Sequence, residues 1–281
     1  MRTICAIILS TIKQSFRNKL IGGVALFGLI LIGLSNLFSY FSIEEQLKFI
    51  KDLGLSGVTF FGLIIAILIG SSVISDDYST KSIQQVYSNP VTSCQYILGR
   101  YVGIFVVLFI YILFFCLVFY FDLLLYYLLE LYREMSTHET MPFFLAFKKE
   151  FVHVYTENIV LFPAIVLIFM QMMIISALSI LCSFFFSKII TFIVCFLIFI
   201  FGHITLFFNL YKESLSYGYQ LLISLFSLVF PCFEYFNIAD YVVLNRTISI
   251  SYLSIVFFYG IVYIVPMLVI SMIIFDKKEI K

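Results

Sequence analysis

The chain is predicted to be an all-α integral membrane protein. Six transmembrane helices are expected, with an N-terminal interfacial helix, a cytoplasmic polar hairpin and a re-entrant segment before the last helix. Two observations lead there. Of its 281 residues, 63% are hydrophobic and only 12% charged, more apolar side chain than the core of one soluble domain of this length encloses. Those residues are also gathered into runs of about 20, the length that crosses the hydrocarbon core as a helix. The runs cover residues 20–41, 54–74, 101–121, 159–182, 189–209 and 252–275. With no Trp beside 35 Phe and 19 Tyr, tyrosine has to supply the interfacial aromatic belt.

Ahead of the first run, Ser10, Lys13, Gln14 and Arg17 recur at i, i+3, i+4 and i+7, while Ile4, Ile7, Ile8 and Ile12 fill the other side. That pattern predicts an amphipathic helix over residues 1–19, lying in the inner interface. A cleaved signal peptide fits less well, because the 20–41 run is long for its apolar core and no small-x-small cleavage site follows. With the N-terminus inside, the inner segments hold ten of the 17 basic residues. The excess favours cytoplasmic N- and C-termini.

Between the second and third runs lies a polar segment, residues 74–103, ISDDYSTKSIQQVYSNPVTSCQYILGRYVG. Ser75 and Asp76 can cap a short helix whose Ile83, Val86 and Tyr87 fall at i, i+3 and i+4, so that one apolar face is offered outward. Asn89-Pro90 ends it. Thr92 and Gln95 then have capping-box spacing for a second helix running through Gly99 and Arg100 into the bilayer. This design suits a docking hairpin at a membrane surface.

Asp77, Thr80, Ile83, Val86, Ser88, Pro90, Val91, Leu98, Gly99 and Arg100 resemble the linker between the second and third membrane helices of ABC-2 type permeases, the membrane subunits of a class of ABC exporters. The family pattern differs at two places: Asp77 stands where Glu is commoner, and Ser93 where a basic residue often follows Pro-Val. The C-terminal FPCFEYFNIADYV and FDKKEI segments look like that family too. The resemblance implies one permease domain over residues 1–281, with an elbow helix at 1–19 and a cytoplasmic coupling hairpin at 75–100. It also implies a separate ABC ATP-binding subunit, carrying ATP and Mg, docked on that hairpin, and a second permease subunit in a homo- or heterodimer. Ile83, Val86 and Tyr87 are then the groove-filling residues, and Asp76, Asp77, Lys81 and Arg100 the charges that set orientation. Export, and the bacterial plasma membrane as host, are likewise implied by the resemblance.

The remaining features concern packing and pathway. Gly62, Ala66 and Gly70 repeat every fourth residue in the second span, a small-xxx-small face that admits a close helix neighbour. Ser176, Ser179 and Ser183, with Gln171 before them, either line a pathway or bond to helix carbonyls, the latter preferred. Asp122 follows about 21 apolar residues, enough to reach the outer interface as a plain carboxylate rather than a proton relay. Residues 130–158 are too polar to span and read as an outer amphipathic loop. In it, Pro142 opens a helix with Phe143, Phe144, Phe147, Phe151 and Val154 on one face. The apolar stretch at 214–236 is interrupted by Pro231. Within an outer segment over 210–250 it reads as a re-entrant or interfacial pair, because a seventh span would put the C-terminal lysines on the opposite side.

Chemistry in the chain itself finds little footing. The six cysteines contain no C-x-x-C pair and read as small apolar residues, neither a disulfide frame nor a metal cluster. Of the three histidines, His203 lies in a span. It is a pathway candidate beside the commoner role of a satisfied bundle histidine. No G-x-x-x-x-G-K-[ST] occurs, so no P-loop ATP site is expected here. Glu44-Glu45 resembles the Glu pair of CAAX-type intramembrane proteases, but that family's downstream Arg is absent and the pair falls in a loop. The expectation is therefore a non-enzymatic permease with no cofactor of its own, embedded in lipid and making no nucleic-acid contact. A channel or scaffold without ATP coupling and an ion-coupled carrier are the alternatives. The carrier would need functional intramembrane charge and an inverted repeat.

Overall fold

Apolar runs joined by short polar breaks leave the backbone one way to satisfy its hydrogen bonds in lipid, as helices. A computed structural model describes residues 2–39, 46–79, 92–135, 159–211, 220, 224, 230–244, 246 and 248–279. Among the described residues there is no strand. The helices are α1 (Arg2–Arg17), α2 (Lys19–Gly33), α3 (Ser35–Ser39), α4 (Gln46–Ser79), α5 (Ser93–Met135), α6 (Leu161–Ser183), α7 (Lys188–Tyr211), α8 (Ala239–Val243) and α9 (Ile250–Glu279), with a 3-10 turn at Phe233–Phe236.

Among the described residues, five helices are long and apolar enough to cross a membrane: Gln46–Asp77, Ser93–Tyr132, Leu161–Ser183, Lys188–Thr205 and Ile250–Lys277. A sixth candidate arises only if the pair Thr3–Arg17 and Lys19–Gly33, bent by 66°, is counted as one span. Of the run expected as the first span at 20–41, residues 20–33 lie in α2. α2 has 15 residues, about 22 Å of helix, and the chain breaks at Leu34 (φ −92°, ψ 0°). Just beyond the break, Ser35 and Asn36 turn to a partner on α5. Asn18 caps α2, its side chain accepting a hydrogen bond from the Leu20 N–H at 3.1 Å.

A helix that is apolar all round belongs inside a bundle. α4 and α6 take that place, and their mutual contact is the most extensive among the described residues. α7 and α9 are peripheral. Ile193 and Leu197 on α7, and Ile255 and Phe258 on α9, are exposed and suit acyl chains rather than water.

α5 runs well past its expected 101–121 span. Its 43 residues make about 65 Å of helix, so the first residues assigned to the 130–158 loop are helical as far as Met135. The rest of that loop, including Pro142 and its phenylalanine face, lies outside the described residues. Most of the 214–236 stretch does too. After Pro231 come the 3-10 turn and α8, both too short to span, packed against α4, α6 and α7.

Candidate functional site

One end of the bundle is built around the last turn of α4. Sequence reasoning expects Ser75 and Asp76 to cap a new helix. Instead α4 continues unbroken to Ser79, because both acids find partners on other helices. Carboxylates near a helix C-terminus oppose the helix dipole, and each is matched by a cation. Lys188 Nζ, from the start of α7, lies 3.2 Å from Asp76 Oδ1. Arg100 on α5 forms an ion pair with Asp77.

Arg100 gathers the surrounding helices. Its Nη1 donates to Thr11 Oγ1 at 3.1 Å and to Ser10 Oγ and Gln14 Oε1 at 3.3 Å on α1. The Tyr96 hydroxyl, one turn before Arg100, donates to Asp77 Oδ2 at 2.5 Å. The guanidinium carbon lies 5.4 Å from the centre of the Tyr96 ring, a cation–π arrangement. That ring in turn stacks on Phe275 of α9 at 4.8 Å, and Ser93 donates to Asp276 beside it. One buried network therefore joins α1, α4, α5 and α9, the last through this stacking and the Ser93 bond.

α5 begins where its capping box places it. The Thr92 N–H donates to Gln95 Oε1, and the Gln95 N–H to Thr92 Oγ1, both at 3.4 Å. Residues 80–91, which bridge α4 and α5, lie outside the described residues. Lys81, Ile83, Val86 and Tyr87 are among them. Of the predicted docking charges, Asp77 and Arg100 are 7% and 6% exposed. They are turned toward each other, joining the end of α4 to the start of α5. Asp76 is half-buried.

Tyr96, Thr11, Gln14 and Lys188 were not singled out as partners of these charges by sequence reasoning. One readable signal was passed over. Gly99 and Gly103 form a G-x-x-x-G step on α5, where α1 comes close. A Cβ at Gly103 would stand 2.6 Å from Thr11 Cβ, and one at Gly99 3.0 Å from Ile7 Cγ2.

In the bundle centre, Gly70 meets α6. A Cβ there would fall 2.7 Å from Ser179 Cβ and 3.0 Å from the Ser176 carbonyl oxygen. Gly62 faces Met172 with more room, its nearest atom at 3.5 Å, and Ala66 is buried. The hydroxyls of the serine row are bonded to helix carbonyls. Ser176 and Ser183 donate to the carbonyls of Met173 and Ile180 one turn back. Ser179 donates across to the Ile67 carbonyl of α4 at 3.0 Å.

Gln171 and His203, by contrast, are brought together. Gln171 Nε2 lies 3.2 Å from His203 Nε2, and His203 Nδ1 lies 2.8 Å from Glu234 Oε2 in the 3-10 turn. They border a cavity of about 210 Å³ walled by Thr59, Ile168, Phe199 and Phe236. That volume suits a few waters or a small polar group rather than a drug-sized ligand. Gly202 lets the turn approach α7, since a Cβ there would be 2.4 Å from the Phe233 ring. Asp122, expected as a plain interfacial carboxylate, is instead enclosed at 1% exposure. It accepts hydrogen bonds from Ser35 and from the Asn36 amide, the latter at 3.1 Å.

Among the described residues, no group of His, Cys, Asp and Glu is arranged to hold a metal ion. No protein-family model and no curated protein matches the chain.

Proposed function

We propose that this chain is the permease subunit of an ATP-driven exporter of the ABC-2 type. In this reading it has six spans and cytoplasmic termini and lies in a bacterial plasma membrane. It pairs with a second permease subunit to form the translocation pathway. ATP and Mg belong to a separate ATP-binding subunit, and this chain catalyses nothing itself. The observation that carries the reading is the Asp77–Arg100 clamp under residues 80–91. The segment whose sequence resembles the family's coupling hairpin has both its legs pinned to each other and to α1 by buried charge. A hairpin so anchored can pass a push from a docked partner into α1, α4 and α5, provided the partner binds it differently in two states.

Replacing Val86 and Tyr87 together with aspartate places charge on the apolar face that would enter the partner's groove. Co-purification of a P-loop ATPase with the chain is expected to fall by at least tenfold while the spans still insert. Unchanged recovery of the ATPase would refute the assignment of that face.

One observation favours the ion-coupled carrier as a second reading: His203, paired with Glu234 of the 3-10 turn, borders a cavity beside Gln171, and ionisable groups within a span mark ion paths in many carriers. Under the exporter reading this pair is structural. A double-mutant cycle of His203→Gln and Glu234→Gln is then expected to give a coupling of about 1 kcal/mol in thermal denaturation, with no effect on transport. Transport that continues without any ATPase and stops on His203→Gln would favour the carrier.

A further inference from the structure

The 66° bend between α1 and α2 leaves an open groove of about 740 Å³, lined by Lys13, Gln14, Arg17, Lys19, Asp76 and Lys188 among others. Four cations face one carboxylate. That carboxylate is already bound by Lys188 at 3.2 Å and approached by Gln14 Nε2 at 3.5 Å. Lys13, Arg17 and Lys19 are exposed, and among the described residues no ion pair involves them. The groove therefore holds a surplus of positive charge drawn together from α1, the first residue of α2 and the first residue of α7.

We infer that this groove binds the headgroup of one anionic glycerophospholipid of the leaflet that surrounds it. Its neighbours distinguish a lipid from a soluble anion. Phe16 precedes Arg17, Leu20 follows Lys19, and Ile189 follows Lys188; they are 49%, 65% and 74% exposed. A free phosphate has no use for such apolar residues beside its cations, whereas a phospholipid presents phosphate and acyl chain together. Basic pockets between membrane helices take anionic headgroups on this principle. The bound lipid would sit across the elbow and tie α1 and α2 to the start of α7.

The test needs no ATPase and is independent of the exporter reading. The full chain is reconstituted in nanodiscs of equal phosphatidylglycerol and phosphatidylcholine, released into gentle detergent and weighed by native mass spectrometry. One retained phosphatidylglycerol per chain is expected, in excess over phosphatidylcholine. In the Lys13→Gln/Arg17→Gln/Lys19→Gln variant its affinity should fall roughly a hundredfold, at about fivefold per cation. The charge-keeping Lys13→Arg/Lys19→Arg variant should retain it, which controls for folding. Equal retention of both lipids, or a triple variant that holds phosphatidylglycerol as well as the parent, would overturn the proposal. So would displacement of the lipid by millimolar inorganic phosphate, which would mark a soluble-anion site instead.

Discussion

Replacing Arg100 with leucine is expected to lower stability by about 3–5 kcal/mol, because it strands the Asp77 carboxylate in a buried site. Asp77 would lose its cation while keeping the Tyr96 hydroxyl bond, and Thr11, Ser10 and Gln14 would lose their common donor. In detergent this corresponds to a fall in melting temperature of roughly 10 °C. The cost belongs mainly to the unpaired charge rather than to the pair itself. Adding Asp77→Asn to the leucine variant removes that charge and should recover at least half of the loss. Thermal denaturation of the two single variants and the double decides the matter. Simple additivity would show that the two residues do not act together. Under the exporter reading the leucine variant also loosens the base of the hairpin, so ATPase recovery should drop in parallel.

Gly70→Val is expected to have the second large effect. The new Cβ would stand 2.7 Å from Ser179 Cβ and 3.0 Å from a backbone carbonyl, and backbone cannot turn aside as a flexible side chain can. α4 and α6 would have to separate at the centre of the bundle, where Ser179 bonds the Ile67 carbonyl. Overpacking of this kind costs about 1–3 kcal/mol and more where both walls are rigid. Gly62→Ala on the same helix is the internal control. Its neighbour is the thioether of Met172 at 3.5 Å, an adaptable side chain, so less than about 0.5 kcal/mol should change. Equal melting temperatures for the two variants would contradict the close α4–α6 approach.

These contrasts show what could be read from sequence and what could not. Apolar runs announce helices because each must bury or lipidate its whole circumference, so α4 to α7 and α9 are visible as runs. The capping box at Thr92 and Gln95 is visible because its partners are three residues apart. The break at Leu34 is hidden, since its cause lies on another helix: Asp122 receives Ser35 across 87 residues of chain. The Asp77–Arg100 pair shows the same limit. Both residues stand in the 74–103 segment, yet a carboxylate and a guanidinium 23 residues apart could as well face outward. Only packing against Thr11 and Gln14 of α1 turns them inward. His203 was legible as an unusual residue in a span, but its partner Glu234 follows Pro231 in a turn without helical period. The three serines mark the opposite case, in which residues that look functional in a row spend their hydroxyls on helix carbonyls.

The central claim is that this chain works with a separate ATPase. It is tested most directly by mild-detergent purification of the chain from its native membranes, with mass spectrometry of whatever accompanies it. A P-loop protein at one copy per chain is expected, with ATP hydrolysis in the complex and none in this chain alone. Recovery of the chain by itself, or only with proteins that bind no nucleotide, would contradict it.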